Sequence, residues 1–416
     1  MKIGLYFTAG KGNGGVYQYS LAFLEALASI PGHTYVVITT SNDIPDKFFH
    51  DARFTVVDMA KNRVSAVVTT PPRLITRIYT KCMTLTMRLV YKLQLNLLID
   101  LATRISQRKL LQTISAQNLD LLIFPAGTDI SYLSKVRTIV AIHDVQHRLH
   151  PEFPELSKNG RWEYRENYYR RTCQKATKIM VDSEVGKEDV LSCYPDTDPK
   201  KIVILPFLPP PYLNPQISSK VAQKSLSPYK LSTPFIYYPA QFWPHKNHLH
   251  LIEAVHLLHE RGHKISLALT GSTGVDYSTY QAVCDKIKEY KLTTYCKYLG
   301  YVENEVVSAL YKEALALVMP TYLGPTNIPI IEAWIMGTPV ITSDIRGCRE
   351  QAKGAGILAD PYQPREIAAA IEQLLLYPKQ GEEIIREGHK KIASWTYPDF
   401  ARRVDQMLKT IPSHVE

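Results

Sequence analysis

No CxxC pair and no zinc-finger spacing occurs among the six cysteines of this sequence, Cys82, Cys173, Cys193, Cys284, Cys296 and Cys348. A chain of 416 residues can bury a core without staples, so reduced structural thiols are expected and a disulfide-dependent miniature is excluded. No uninterrupted apolar run approaches the ~18 residues that mark a membrane span. The run from Met1 to Ala9 alternates like a strand and is too short for a signal-peptide core. A cytoplasmic chain that does not cross a membrane is the expectation. Acid is missing as well: no Asp or Glu lies between Asp58 and Asp100. From Lys61 to Lys109, ten Lys or Arg stand against Asp100 alone, and this window carries nearly all of the net charge of +10. An anionic surface, nucleic acid or lipid headgroups would suit such a window, but no recognisable nucleic-acid motif accompanies it.

What is present reads as an ordinary globular chain, 45% hydrophobic and 21% charged, long enough for two domains. Strand-like runs recur at 2–7, 34–40, 121–124, 136–143, 178–182, 201–206, 235–239, 265–271, 297–302, 316–319 and 339–343. Helical patterns separate most of them, among them 16–30, 249–261, 305–315 and 329–336. Near-continuous apolar strands alternating with amphipathic helices predict an α/β fold with parallel sheets and right-handed crossovers. The strongest linker signal is the proline-rich stretch 206–215. Two Rossmann-like domains meeting there would carry their ligand sites beyond the carboxyl ends of their strands, facing across a cleft.

The turns after strands are therefore the places to look. Gly10, Gly12 and Gly15 match GxGxxG after the first strand, but no acid ends the second strand as a dinucleotide site requires; Asp43 comes late. Gly14 and Gly15 read either as backbone that approaches a ligand at a helix N-terminus or as a plain tight turn. His143 and Asp144 end a strand and would point into the cleft, unless Asp144 merely caps the next turn. Zinc ligation by His143 and His147 is disfavoured because no glutamate stands beside them. Asp196 and Asp198 resemble a metal-holding pair but sit in turn composition, so a solvated turn is favoured. Lys246, at the turn after the strand 235–239, has a helix N-terminus behind it, and both act on the same diphosphate charge. Glu332 falls in the predicted first turn of a helix that Pro329 starts and Gly337 ends. The dipole alone would favour it there, yet the same carboxylate would accept hydrogen bonds from a ribose diol.

Together these residues resemble the family-4 retaining glycosyltransferases of the GT-B type. The features, in family order, are the Gly-rich first turn, His143-Asp144, Val181-Asp-Ser-Glu184, Lys246-Asn247, Gly300-Tyr-Val302, Pro329-x-x-Glu332-Ala and Gly337-Thr-Pro-Val340. The resemblance implies an acceptor domain at 1–210, a nucleotide-sugar domain at 211–394 and a final helix at 395–416 that returns to the first domain. It also implies sugar transfer with retained configuration, without a metal and with no cofactor beyond the nucleotide-diphosphate sugar itself. Gly300 and Val302 would approach the base, Lys246 the diphosphate, Glu332 the ribose, the amides of Thr326, Asn327 and Ile328 the sugar or phosphate, and His143 the transferred sugar. Two positions depart from the pattern. Gln241 stands where the family commonly has arginine, and it supplies hydrogen bonds but no charge. Gly324 stands where the first of two paired glutamates would be.

Read as a helix, the acid-free segment puts Arg73, Arg77, Lys81, Arg88 and Lys92 within about 100° of one another. A helix lying on the inner face of an anionic membrane and a helix with its cations solvated both fit this pattern. The leading expectation is a cytoplasmic, membrane-peripheral glycosyltransferase of surface polysaccharide synthesis acting on a glycan or lipid-linked acceptor. A non-hydrolysing nucleotide-sugar epimerase on the same fold, and a degenerate homologue that binds lipid or protein partners, are the alternatives.

Overall fold

The structure is a computed structural model that describes residues 1–11, 14–59, 89–274 and 278–412. The chain divides into two compact units, Met1–Phe207 with Tyr397–Glu416, and Leu208–Thr396. The first holds a seven-stranded parallel sheet of β1 (Lys2–Phe7), β2 (Thr34–Thr39), β3 (Phe54–Asp58), β4 (Leu121–Phe124), β5 (Arg137–Ala141), β6 (Lys178–Val181) and β7 (Ile202–Ile204), in the order β3-β2-β1-β4-β5-β6-β7. The second holds a six-stranded parallel sheet of β8 (Phe235–Pro239), β9 (Ser266–Thr270), β10 (Cys296–Tyr298), β11 (Ala316–Met319), β12 (Val340–Ser343) and β13 (Ile357–Ala359), in the order β10-β9-β8-β11-β12-β13. Strands such as β1, β4 and β9 are buried almost end to end, as parallel sheets covered by helices on both faces require.

Every strand expected from the sequence is present, most trimmed by a residue or more at an end. The two unforeseen strands, β3 and β13, are both sheet edges. β7 and β10 are edges as well, but they lie in the longer runs 201–206 and 297–302, whereas the three residues of β13 carry too little pattern to register.

Each sheet has one place where strand order reverses: between β1 and β4 in the first, and between β8 and β11 in the second. Loops leaving the carboxyl ends there diverge to opposite faces and open a crevice. In the second unit this sets the turn after β8, with Lys246, beside the loop after β11, with Gly324 to Asn327. The last helix, Tyr397–Lys409, buries Phe400, Val404, Met407 and Leu408. Phe400 lies edge-on to Phe23 at 5.2 Å and to Tyr19 at 6.1 Å, on the helix Gly15–Ser29. Truncating such a fully buried ring costs about 3–5 kcal/mol.

Candidate functional site

In the second unit Lys246 ends a one-turn 3-10 segment, Pro244–Lys246, and Asn247 follows at φ 58° as the cap of the helix His248–Glu260. Asparagine is among the few residues that tolerate this left-handed backbone. Its buried side-chain amide donates to the Pro320 carbonyl at 2.9 Å and to the Pro361 carbonyl at 2.7 Å, tying the turn after β8 to the loops after β11 and β13. A second stitch runs from the Tyr322 N–H to the His245 carbonyl at 2.9 Å. The lysine turn is thus fixed from two sides. Burial pushes the Cys348 thiol up while the charge of Lys246 draws it back, and the Asn327 amide donates to Cys348 Sγ at 3.6 Å. Lys246 and Asn327 therefore share one neighbourhood. Gln241 is exposed, and its Oε1 accepts the Trp243 indole N–H at 2.6 Å.

The loop before the helix Ile328–Met336 is shaped by three residues. Gly324 has φ 130°, a backbone that L side chains rarely adopt. Gly347, on the helix Arg346–Ala352, lies so close that an added Cβ would collide with the carbonyl oxygens of Gly324 and Pro325. Gln351 on that helix accepts the Asn327 N–H at 2.8 Å and donates back to the Asn327 carbonyl at 2.8 Å. This corrects one expectation: the Asn327 backbone N–H is directed to Gln351 rather than presented to a ligand. Thr326 and Ile328 flank it, and Ile328 opens the helix.

Glu332 also departs from expectation. It sits in the second turn of its helix, not the first, so the macrodipole does not account for it. Only 6% exposed, its carboxylate accepts from the Tyr311 hydroxyl at 2.6 Å and, on the other oxygen, from the Tyr212 hydroxyl. Burial raises its pKa, and the two donated hydrogen bonds offset only part of that rise. Gly300, at φ 72°, has open space where a side chain would be, and its carbonyl accepts the Gly271 N–H at 3.3 Å, while Val302 is buried nearby in sequence.

In the first unit Gly14, at φ 52°, caps the helix Gly15–Ser29, with open space beside its Cα; Gly12 lies outside the described residues. His143 Nε2 is 2.9 Å from the Pro125 carbonyl, so this nitrogen carries the proton and Nδ1 is left as the acceptor. Its ring stacks on Phe207 at 5.6 Å and meets Tyr19 edge-on at 5.0 Å, and burial lowers its pKa, which keeps it neutral. Asp144 takes the modest role: it accepts the Gln146 N–H at 3.0 Å and pairs with Arg165. His147 is buried 3.4 Å from the Tyr194 hydroxyl and 3.5 Å from Glu166. Asp198 caps the short turn Pro199–Lys201. Among the described residues no cluster of three His, Cys, Asp or Glu is placed to hold a metal ion. Of the cationic stripe, Arg73, Arg77, Lys81 and Arg88 lie outside the described residues; Lys92 is described and exposed. Among the described residues no helix is long and apolar enough to cross a membrane.

Sequence reasoning missed Tyr212, Tyr311, Phe207 and Gln351. Tyr212 and Phe207 sit in the stretch read only as linker, and nothing local marks Tyr311 or Gln351, whose partners lie 21 and 24 residues away.

Residues 223–391 match the family described as glycosyl transferases group 1. The chain is 27% identical over 244 residues to O-antigen chain mannosyltransferase B of Escherichia coli, covering 58% of this chain and 61% of that protein. It is 23% identical over 239 residues to O-antigen chain mannosyltransferase RfbU of Salmonella typhimurium, again 58% and 61%. The chain thus aligns with somewhat under two thirds of the length of each. Among solved structures, Anabaena Alr3699/HepE in complex with UDP-glucose superimposes with a TM-score of 0.71 at 14% identity, over 99% of this chain and 100% of that one. WaaG, a glycosyltransferase involved in lipopolysaccharide biosynthesis, does so with a TM-score of 0.66 at 14% identity, over 98% and 99%.

Proposed function

We propose that this chain, a GT-B protein whose residues 223–391 form a glycosyl transferases group 1 segment, is a retaining family-4 hexosyltransferase. It would move a sugar from a nucleotide-diphosphate donor to a glycan or lipid-linked acceptor in surface polysaccharide synthesis, using no metal and no further cofactor, on the cytoplasmic side of the membrane. The observation that carries this reading is the turn Pro244–Asn247. A lysine and a helix N-terminus are fixed at the strand-order reversal of the second sheet by hydrogen bonds to the loops after β11 and β13.

In this reading the diphosphate lies against Lys246 and the amino end of the helix His248–Glu260. Both act on the charge that grows as the leaving group departs, and both are in place before reaction. The C1–O bond to the diphosphate breaks, the acceptor oxygen bonds to C1 on the same face, and the acceptor's proton passes to the departing phosphate oxygen. No strong protein base is needed, and positioning carries much of the barrier reduction. His143, neutral and with Nδ1 as acceptor, suits a sugar hydroxyl. Glu332 accepts from the ribose diol. The base lies by Gly300 and Val302, where the missing side chain leaves room. The mannosyltransferase relatives favour a hexose donor.

The test is turnover and binding with a panel that includes GDP-mannose and UDP-glucose, read by nucleotide release and by thermal shift. One donor that raises the melting temperature and is consumed only with acceptor supports the reading. Consumption with epimerised product and no acceptor would replace it.

A further inference from the structure

The helix Asn96–Ser106 is mounted the wrong way round for water. Its inward side is made of Asn96, Ile99, Asp100 and Thr103, of which Ile99 alone is apolar and fully buried. Asp100 faces inward to a two-point ion pair with Arg171, the second contact at 2.8 Å. The opposite side exposes Leu97 (86%), Leu98 (53%), Leu101 (56%) and Ile105 (68%). These four fall within about 100° of helix circumference, centred roughly 150° from Ile99. A soluble surface helix normally turns its aliphatic stripe inward, and an ion pair that holds the polar side in fixes the reversed orientation here.

At the edge of this stripe Arg104 and Arg108 line a shallow surface cavity of about 320 Å³, with Leu111, Gln112 and Ser115 completing it. Arg108 belongs to the next helix, Arg108–Ala116, which packs through Leu110 and Ile114. From 59 to 119 the sequence has no acid except Asp100, which is taken by Arg171. The face therefore combines exposed leucines with arginines and no exposed carboxylate of its own segment.

We propose that the face formed by Leu97, Leu98, Leu101 and Ile105 docks into an anionic lipid bilayer, with Arg104 and Arg108 receiving lipid phosphates. The pattern is that of an interfacial helix, whose apolar side enters the headgroup and acyl boundary while cations meet anionic lipids. A second copy of the chain is disfavoured because it would bring two strongly cationic segments together. Nucleic acid would match the arginines but leave the leucines in water. The proposal does not depend on the reaction assigned to the chain and stands or falls separately.

The full chain is sedimented with vesicles of phosphatidylcholine, with and without phosphatidylglycerol. Binding is expected to the anionic vesicles and to weaken with salt. The triple variant Leu97→Gln, Leu101→Gln, Ile105→Gln should lose at least tenfold in partitioning while keeping or raising the melting temperature, because exposed aliphatics are replaced by polar groups. The double variant Arg104→Gln, Arg108→Gln should lose the preference for phosphatidylglycerol. Hydrogen exchange on the unaltered chain should show the amides of residues 96–106 exchanging more slowly with anionic vesicles than without them. No binding by the unaltered chain, equal binding by the triple variant, or a dimer in sedimentation equilibrium that the triple variant dissolves would overturn the proposal.

Discussion

Gln351 and Asn327 form a reciprocal pair: the Gln351 side-chain oxygen accepts the Asn327 N–H, and its amide donates to the Asn327 carbonyl, both at 2.8 Å. One side chain thereby fixes both backbone groups of the residue that precedes the helix Ile328–Met336. Gln351→Ala should release this loop. Two lost hydrogen bonds of about 1 kcal/mol each predict a rise of roughly tenfold or more in the donor KM, with a smaller change in stability because water can reach the freed groups. Gln351→Glu cannot donate to the carbonyl and should fall between the two. Steady-state kinetics with saturating acceptor measure this.

Gly324 is a conformational requirement rather than a lost carboxylate. At φ 130°, a glutamate there would be strained by about 1–3 kcal/mol, so Gly324→Glu should lower the melting temperature and give no gain in activity. Gly347→Ala should perturb the same loop from the other side, because its Cβ would collide with the Gly324 and Pro325 carbonyls. Thermal melts with and without donor separate the two effects.

His248 predicts acid sensitivity of the second unit. Its ring stacks on Phe242 at 4.4 Å, and burial, with Lys246 adding to it, pushes its pKa down to about 3 from the ordinary 6.5. Below pH 6.5 the unfolded chain binds a proton that the folded one refuses, so stability falls as pH drops toward 3. His248→Phe keeps the stack and should flatten this part of the profile. Glu332 has the opposite sign: its raised pKa favours the folded state below its ordinary value of 4.5 and loses that advantage as pH rises through the raised value. Melting temperature against pH distinguishes them.

Tyr212 and Tyr311 each donate to Glu332. Phenylalanine at either position should raise the Glu332 pKa further and weaken stability by about 1–3 kcal/mol. In the proposed ribose role, donor affinity should fall on acidification at a higher pH in these variants than in the unaltered chain, and Glu332→Gln should remove that limb altogether. Titration calorimetry at several pH values reads this directly.

Strand positions were legible because buried parallel strands are nearly continuous apolar runs. β3 and β13 escaped, although β7 and β10, which are also edges, did not; three residues such as those of β13 carry too little pattern to register. Lys246 and Asn247 were legible from their place at a strand-to-helix turn, but that Asn247 pins two other loops was not. Glu332 was read into the first turn of its helix, but the helix opens at Ile328 and its first turn closes before Glu332. Tyr212, Tyr311 and Gln351 act through partners distant in sequence, and a composition or periodicity argument has no access to such pairs. The leucine face at 97–105 carried an amphipathic pattern, yet pattern alone assigns the apolar side to the interior; the Asp100–Arg171 pair reverses it.

In the proposed reaction Lys246 holds the diphosphate of a nucleotide-sugar donor. Nucleotide release from the preferred donor, measured with and without acceptor for the unaltered chain and for Lys246→Ala, tests it most directly. The account predicts acceptor-dependent release that falls by about a hundredfold in the variant, the scale set by losing one preorganised electrostatic contact. Equal release by Lys246→Ala would contradict it.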